Sequence, residues 1–321
     1  MRIARLASCL LLFVPLLVVL PARAADLKPE EIVAKHLDSI GTPSARAAKT
    51  RVVEGPVIYR ILVGGAGSLD GKSVLVSEDQ KLHFMMKLDN NLYHGEQFIF
   101  DGDRDEISFS TAHQTRSQFG ELVHVQDVML REGLLGGVLS TAWPLNDLDG
   151  RKAKLSYEGM KKIDGKDLYQ LRYKPKKSTD ADILLYFDPT TFRHVETVYT
   201  IRVRAQLGNL DPQAANAVAI PEKSAKNPNG TDLIGPVPQL NGGVVGETND
   251  TATAHQHETR YRLEERFSEF EAFNGLTLPT HYTIQFSQEL GNGRTTVSEW
   301  AIVASQIQSG VGVDERNFQV K

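Results

Sequence analysis

The stretch Ala66-Gly67-Ser68-Leu69-Asp70-Gly71-Lys72-Ser73 satisfies the loosest form of a phosphate-cradling loop. In that chemistry glycines let the backbone approach the phosphates, and the lysine and serine meet their charge and metal. It also needs a helix opening at Lys72-Ser73, whose N-terminal N–H groups hold the anion. Val74-Leu75-Val76 follows instead, a β-branched strand start, so the stretch reads as a Gly-rich hairpin turn. Asp101-Gly102-Asp103-Arg104-Asp105-Glu106 has the oxygen ligands for calcium, but an EF-type loop needs Gly at its sixth place and Glu at its twelfth. Neither is present, and Asp-Gly between two strands suits a tight hairpin. His255 and His257 place two imidazoles on one side of an extended segment, a pair able to grip zinc or copper. No acidic or His partner at fixed spacing completes a set of three or four ligands, so a solvated loop is the reading. No Gly-x-Ser-x-Gly and no His-Glu-x-x-His occurs. The expectation is no catalytic residue, no metal and no cofactor, which leaves the apolar residues as the main functional clue.

Those residues must be positioned mostly by strands. Pro29 suits the first turn of a helix, and Glu30 and Glu31 suit the positive end of its dipole. Ile32, Val33, His36, Leu37 and Ile40 then form an apolar stripe at helical spacing, stopped by Gly41 with Pro43 beyond. After that the period becomes two: Val57, Tyr59, Ile61 and Val63; Val74 and Val76; Leu82, Phe84, Met86 and Leu88; Phe98 and Phe100; Ile107 and Phe109. Gly64-Gly65-Ala66-Gly67, Asp70-Gly71, Asn90-Asn91 and Asp101-Gly102 punctuate this run of hairpins. From Gln118 to Leu139 a broad helical face appears, carrying Leu122, Val125, Met129, Leu130, Leu134, Leu135, Val138 and Leu139. One or two short helices are predicted there, closing at Trp143-Pro144. Strands resume with Tyr169, Leu171 and Tyr173, then Ile183, Leu185 and Phe187, then Val195 to Val203. Between 206 and 257 no period holds, which predicts a long flexible insertion. Tyr261, Leu263 and Phe267, then Tyr282, Ile284 and Phe286, then Val297 to Val303 complete the set. All-antiparallel strands with a helical interruption predict an α+β fold whose single sheet curls around the helices.

The N-terminus bounds the compartment. Arg2 and Arg5 precede an aliphatic run from Leu10 to Leu20, about half of the roughly 20 residues a bilayer crossing needs. Ala22 and Ala24 then offer small residues for cleavage between Ala24 and Ala25. Residues 1–24 are predicted to be a signal peptide that exports a bacterial protein to the periplasm, with no transmembrane segment after cleavage. Leu6-Ala7-Ser8-Cys9 spells a lipobox, but it precedes the apolar run that it should follow. Cys9, the one cysteine, therefore leaves with the signal peptide unlipidated. The 321 residues carry a net charge of only −4, which argues against a nucleic-acid partner.

Several segments together resemble the outer-membrane lipoprotein-sorting (LolA-like) family of periplasmic carriers. Pro29 to Leu37 resembles the family's first helix. Leu168 to Pro189, ending Tyr186-Phe187-Asp188-Pro189-Thr190-Thr191, resembles its central hairpin. Phe270 to Pro279, with Asn274-Gly275-Leu276-Thr277-Leu278-Pro279, resembles its late turn, and Trp300 with Asp314-Glu315-Arg316-Asn317-Phe318 its final strand and tail. The resemblance covers most of 25–321 in order, apart from the insertion 206–257. It implies one half-barrel domain: an incomplete antiparallel β-barrel, its helices covering the concave face and a hydrophobic cavity. It implies binding of acyl chains, of lipoproteins or lipids, and exchange with envelope donor and acceptor proteins.

Alternating apolar residues are first of all a core. A curled sheet with short helices can also enclose a cavity, and Phe84, Met85, Met86, Phe98 and Phe100 form a deformable group suited to varied apolar ligands. If the sheet curls, its lining falls on Tyr59 and Ile61, Phe84 and Met86, Phe98 and Phe100, Tyr199 and Ile201, and Tyr282, Ile284 and Phe286. The expected function is a non-enzymatic periplasmic carrier of a hydrophobic or acyl-bearing ligand. Its rivals are an envelope assembly factor with the same fold and no lipid, and a hydrolase whose site is built by folding.

Overall fold

The computed structural model describes residues 27–108, 116–203, 259–290 and 292–321. The expected signal peptide with its Ala24–Ala25 junction, Cys9, Phe109, and the expected insertion 206–257 with His255 and His257 lie outside the described residues. Helix α1 spans Pro29–Ile40 with Pro29 in its first turn, and it buries Ile32, Val33, His36 and Ile40. Gly41 ends it at φ 151°, where a Cβ would stand 2.5 Å from the Gly275 carbonyl oxygen. A single turn, α2 (Pro43–Arg46), follows.

Five strands come next: β1 (Thr50–Val63), β2 (Ser68–Glu78), β3 (Lys81–Leu88), β4 (Gly95–Phe100) and β5 (Asp105–Ser108). A helical layer follows: α3 (Gln118–Val125), α4 (Val128–Arg131), 3-10 turns at Gly137–Leu139 and Pro144–Asn146, and α5 (Leu148–Arg151). Among the described residues eight strands follow: β6 (Lys154–Ile163), β7 (Lys166–Lys174), β8 (Asp182–Phe187), β9 (His194–Val203), β10 (Thr259–Phe273), β11 (Leu276–Glu289), β12 (Thr295–Val303) and β13 (Gln306–Ser309). They form one open 13-stranded sheet in the order β5-β4-β3-β2-β1-β12-β11-β10-β9-β8-β7-β6, with β13 pairing the first part of β1. The fold is α+β, an unclosed antiparallel sheet with a thin helical layer on one face.

Two local readings change. Asp70-Gly71 is no turn but lies inside β2, paired with Ile58 and Val57 of β1. Gly71 is there for a close approach, since a Cβ would meet the Lys87 carbonyl oxygen at 2.1 Å. The turn lies at residues 64–67, and a strand follows it where phosphate binding would need a helix. Strand β6 had no visible alternation because it is an edge strand, rich in lysine and broken by a bulge between Tyr157 and Met160, where Gly159 takes φ 94°.

The core lies between the helical layer and the face of the sheet turned toward it. Ser117 starts α3, its hydroxyl accepting from Gly120 N–H at 2.8 Å. The Phe119 ring then sits 5.2 Å from Phe98 of β4, 5.8 Å from Phe286 of β11 and 5.0 Å from Trp300 of β12. One residue thus joins both halves of the sheet. Of the expected helical face only Val125 points away, 64% exposed, while Leu122, Met129, Leu130, Leu134, Leu135, Val138 and Leu139 are buried. A smaller cluster of Leu168, Tyr186 and Val198 packs apart from this core.

Candidate functional site

Strand register settles which side chains share the inner face. Phe84 pairs with Phe98, Leu82 with Phe100 and Met86 with Glu96. Tyr59 pairs with Trp300 and Ile61 with Ser298, while Ile284 also pairs with Trp300, and Phe286 with Ser298. Leu263 lies between Tyr199 and Phe286, and Tyr261 between Ile201 and Gln288. Residues directly opposite in an antiparallel pair point to the same face. The structure therefore brings Tyr59, Ile61, Phe84, Met86, Phe98, Phe100, Tyr199, Ile201, Tyr282, Ile284 and Phe286 onto one surface. All are buried except Tyr59 and Ile61, which lie half-buried near the end of β1. Phe84 stands 6.0 Å from Tyr282, and the Tyr282 ring stacks on Phe267 at 5.0 Å. Gly137 of the helical layer lies against that stack, where a Cβ would meet Phe267 Cζ at 2.7 Å.

The inner face opens at one edge. There a crevice of about 270 Å³ lies between Leu122 and Val125 of α3 and Ile201, Val203 and Tyr261 of β9 and β10, with Gln118, Glu121, Gln126 and Gln288 at its rim. Val125 and Val203 are 64% and 51% exposed. The volume lies just under the ~300–1,000 Å³ of small-molecule sites.

Polar groups within the apolar face escaped the sequence reading. Glu265 on β10 is wholly buried. Its carboxylate accepts from the Tyr199 hydroxyl at 2.6 Å, the Tyr282 hydroxyl at 2.5 Å and the Gly136 N–H at 2.8 Å. Burial pushes it up to about 7 although these donors pull the other way. Glu96 on β4 accepts from the Tyr93 hydroxyl at 2.6 Å and the Ser117 hydroxyl at 2.5 Å, and burial again raises it to about 7. Glu132, just past α4, accepts from the Tyr173 hydroxyl at 2.7 Å. Each carboxylate ties the helical layer to a strand. The signal available in the sequence was an acidic residue at an inward position of an alternating strand: Leu263, Glu265, Phe267, or Glu96, Phe98, Phe100.

Beside them lies a second buried group. Trp143 Nε1–H donates to His36 Nε2 at 3.1 Å, so His36 Nδ1 carries the proton and donates to the Phe192 carbonyl at 3.0 Å. Burial lowers His36 to about 3 and also lowers His194, whose ring lies 4.6 Å from that of Trp143. Both imidazoles are neutral near pH 7. Thr197 Oγ1 lies 2.9 Å from His194 Nε2, but both residues are fully buried, out of reach of a substrate. Among the described residues no group of three or more His, Cys, Asp or Glu is placed to hold a metal ion. No helix among them is long and apolar enough to cross a membrane.

No family model matches the sequence, and no curated protein matches it. Solved structures do. A LolA superfamily protein from Nitrosomonas europaea is 13% identical, with 92% of this chain and 98% of that chain covered at a TM-score of 0.41. A domain from Vibrio parahaemolyticus, described as that of an outer membrane lipoprotein-sorting protein, is 9% identical, with 90% and 96% covered at a TM-score of 0.41. The complex of MucA and MucB from Pseudomonas aeruginosa matches at 10% identity, with 87% and 99% covered and a TM-score of 0.21. The solved structures that this chain is similar to thus include LolA superfamily and lipoprotein-sorting proteins.

Proposed function

We propose that the chain is a periplasmic carrier that holds a hydrophobic or acyl-bearing ligand between the inner face of its sheet and the helical layer. The ligand is the acyl part of a lipoprotein or a lipid, received from and passed to envelope partners without a cofactor or a catalytic step. The observation that carries this reading is the apolar crevice between α3 and strands β9 and β10, lined by Ile201 and by Tyr261, whose ring lies 6.2 Å from that of Phe286 on the inner face. The cover supports it as well, being short helices and turns that pack on the sheet through side chains and a few tethers. Burying an acyl chain contributes roughly 0.8 kcal/mol per methylene, so about ten methylenes supply about 8 kcal/mol, the scale of a micromolar Kd. Displacement of helical residues from the same face subtracts from this figure.

The test is native purification followed by organic extraction and mass spectrometry. A carrier yields an acyl-bearing species near one per chain, whereas an assembly factor without a lipid ligand elutes empty.

A further inference from the structure

Building on the carrier reading, we propose that Glu265 is a recognition point for a ligand with a hydrogen-bond donor at the head of its apolar chain, an amide N–H above all. In the closed form the Gly136 N–H holds that donor's place. Glu265 sits at an inward position of β10, between Leu263 and Phe267. Two of its three donors, Tyr199 and Tyr282, stand on the neighbouring strands β9 and β11 and move with the sheet. The third, Gly136 N–H, belongs to the helical layer. Gly136 takes φ 81°, a left-handed conformation that favours glycine and turns its N–H toward the carboxylate.

A carboxylate accepts up to about four hydrogen bonds, and three are made here. A ligand entering between the layers separates Gly136 from Glu265 and leaves Oε1 short of a partner in an apolar setting. A plain hydrocarbon or ester cannot repair that loss, whereas an N–H can. A carboxylate head brings a second acceptor and like charge to the same place, so a free fatty acid is disfavoured most.

The experiment uses the purified full chain at about pH 8.5, where Glu265, raised only to about 7, is ionised, and displacement of a fluorescent acyl probe by N-methyldodecanamide, methyl dodecanoate or dodecanoate. The first two differ only by N–H in place of O. The wild type should bind the amide about tenfold more tightly than the ester, the discrimination typical of a buried acceptor left unpaired, and dodecanoate least. Glu265→Leu, verified as folded by circular dichroism, should bring amide and ester to parity. Should that variant not fold, Tyr282→Phe removes one donor from Oε1 and should widen the amide preference. Equal affinities in the wild type, a preference that survives Glu265→Leu, or one unchanged by Tyr282→Phe would overturn the assignment. Binding without amide preference sinks the role of Glu265 alone; no binding by any of the three sinks the carrier reading with it.

Discussion

The substitution Glu265→Gln should make the protein gain stability over the wild type as pH rises. In the native chain burial moves this carboxyl from 4.5 to about 7. Between those values the folded chain holds a proton that the unfolded chain has released. Its contribution is therefore full below pH 4.5 and lost as pH rises through about 7. Each tenfold in proton affinity is about 1.4 kcal/mol, so the whole change is on the order of 3 kcal/mol. The group is wholly buried, so solvent does not screen it. A wild-type profile alone conceals the effect. Glu96 titrates with the same sign, but His36, lowered from 6.5 to about 3, adds stability as pH rises toward 6.5, and His194 does the same. Subtracting the variant's profile cancels these shared terms. The glutamine keeps the shape: its carbonyl oxygen can take Gly136 and Tyr282, and its amide can donate to the Tyr199 hydroxyl. Urea unfolding of both proteins at steps from pH 4.5 to about pH 8 reads the difference. The variant should gain about 3 kcal/mol on the wild type across the window. A gap that stays constant, or closes in the wild type's favour, refutes the reasoning.

Phe119→Ala should cost about 3–5 kcal/mol in urea unfolding, because its ring fills the space among Phe98, Phe286 and Trp300. Gly133→Ala should destabilise by at least about 1–3 kcal/mol, since φ is 66° and the new Cβ would meet the Ala142 carbonyl oxygen at 2.1 Å. Trp143→Phe removes the donor to His36 Nε2 and should cost about 1–3 kcal/mol beyond its change in volume, read by the melting temperature. Val125→Asp with Val203→Asp should leave the melting temperature nearly unchanged, as both side chains are more than half exposed, yet weaken an acyl probe at least tenfold.

Elements whose local chemistry agrees with their tertiary role were legible. Pro29 and Gly41 bracket α1, and alternation placed the inner-face residues of β1, β3, β4, β9 and β11 on the correct parity. Legibility failed where the determining partner is remote. Gly71 looked like a turn because the Lys87 backbone that excludes a side chain lies on another strand. Strand β6 buries too little on either face to impose a period. Glu96 and Glu265 broke the pattern of their strands, and nothing local showed that a phenol and a donor from the helical layer would meet each of them. His36 stood correctly in the apolar stripe of α1, but its tautomer depends on Trp143, which is 107 residues away.

The central claim is that a ligand chain lies on the inner face, under the helical layer. Photo-cross-linking with an acyl probe carrying a terminal diazirine, followed by peptide mapping, tests it most directly. Labelling should concentrate on residues such as Leu122, Tyr261 and Phe286, which reach from the crevice to the aromatic face, and excess unlabelled acyl chain should suppress it. Labelling confined to outward residues such as Arg262, His281 or Gln285, or labelling that no competitor reduces, would contradict the account.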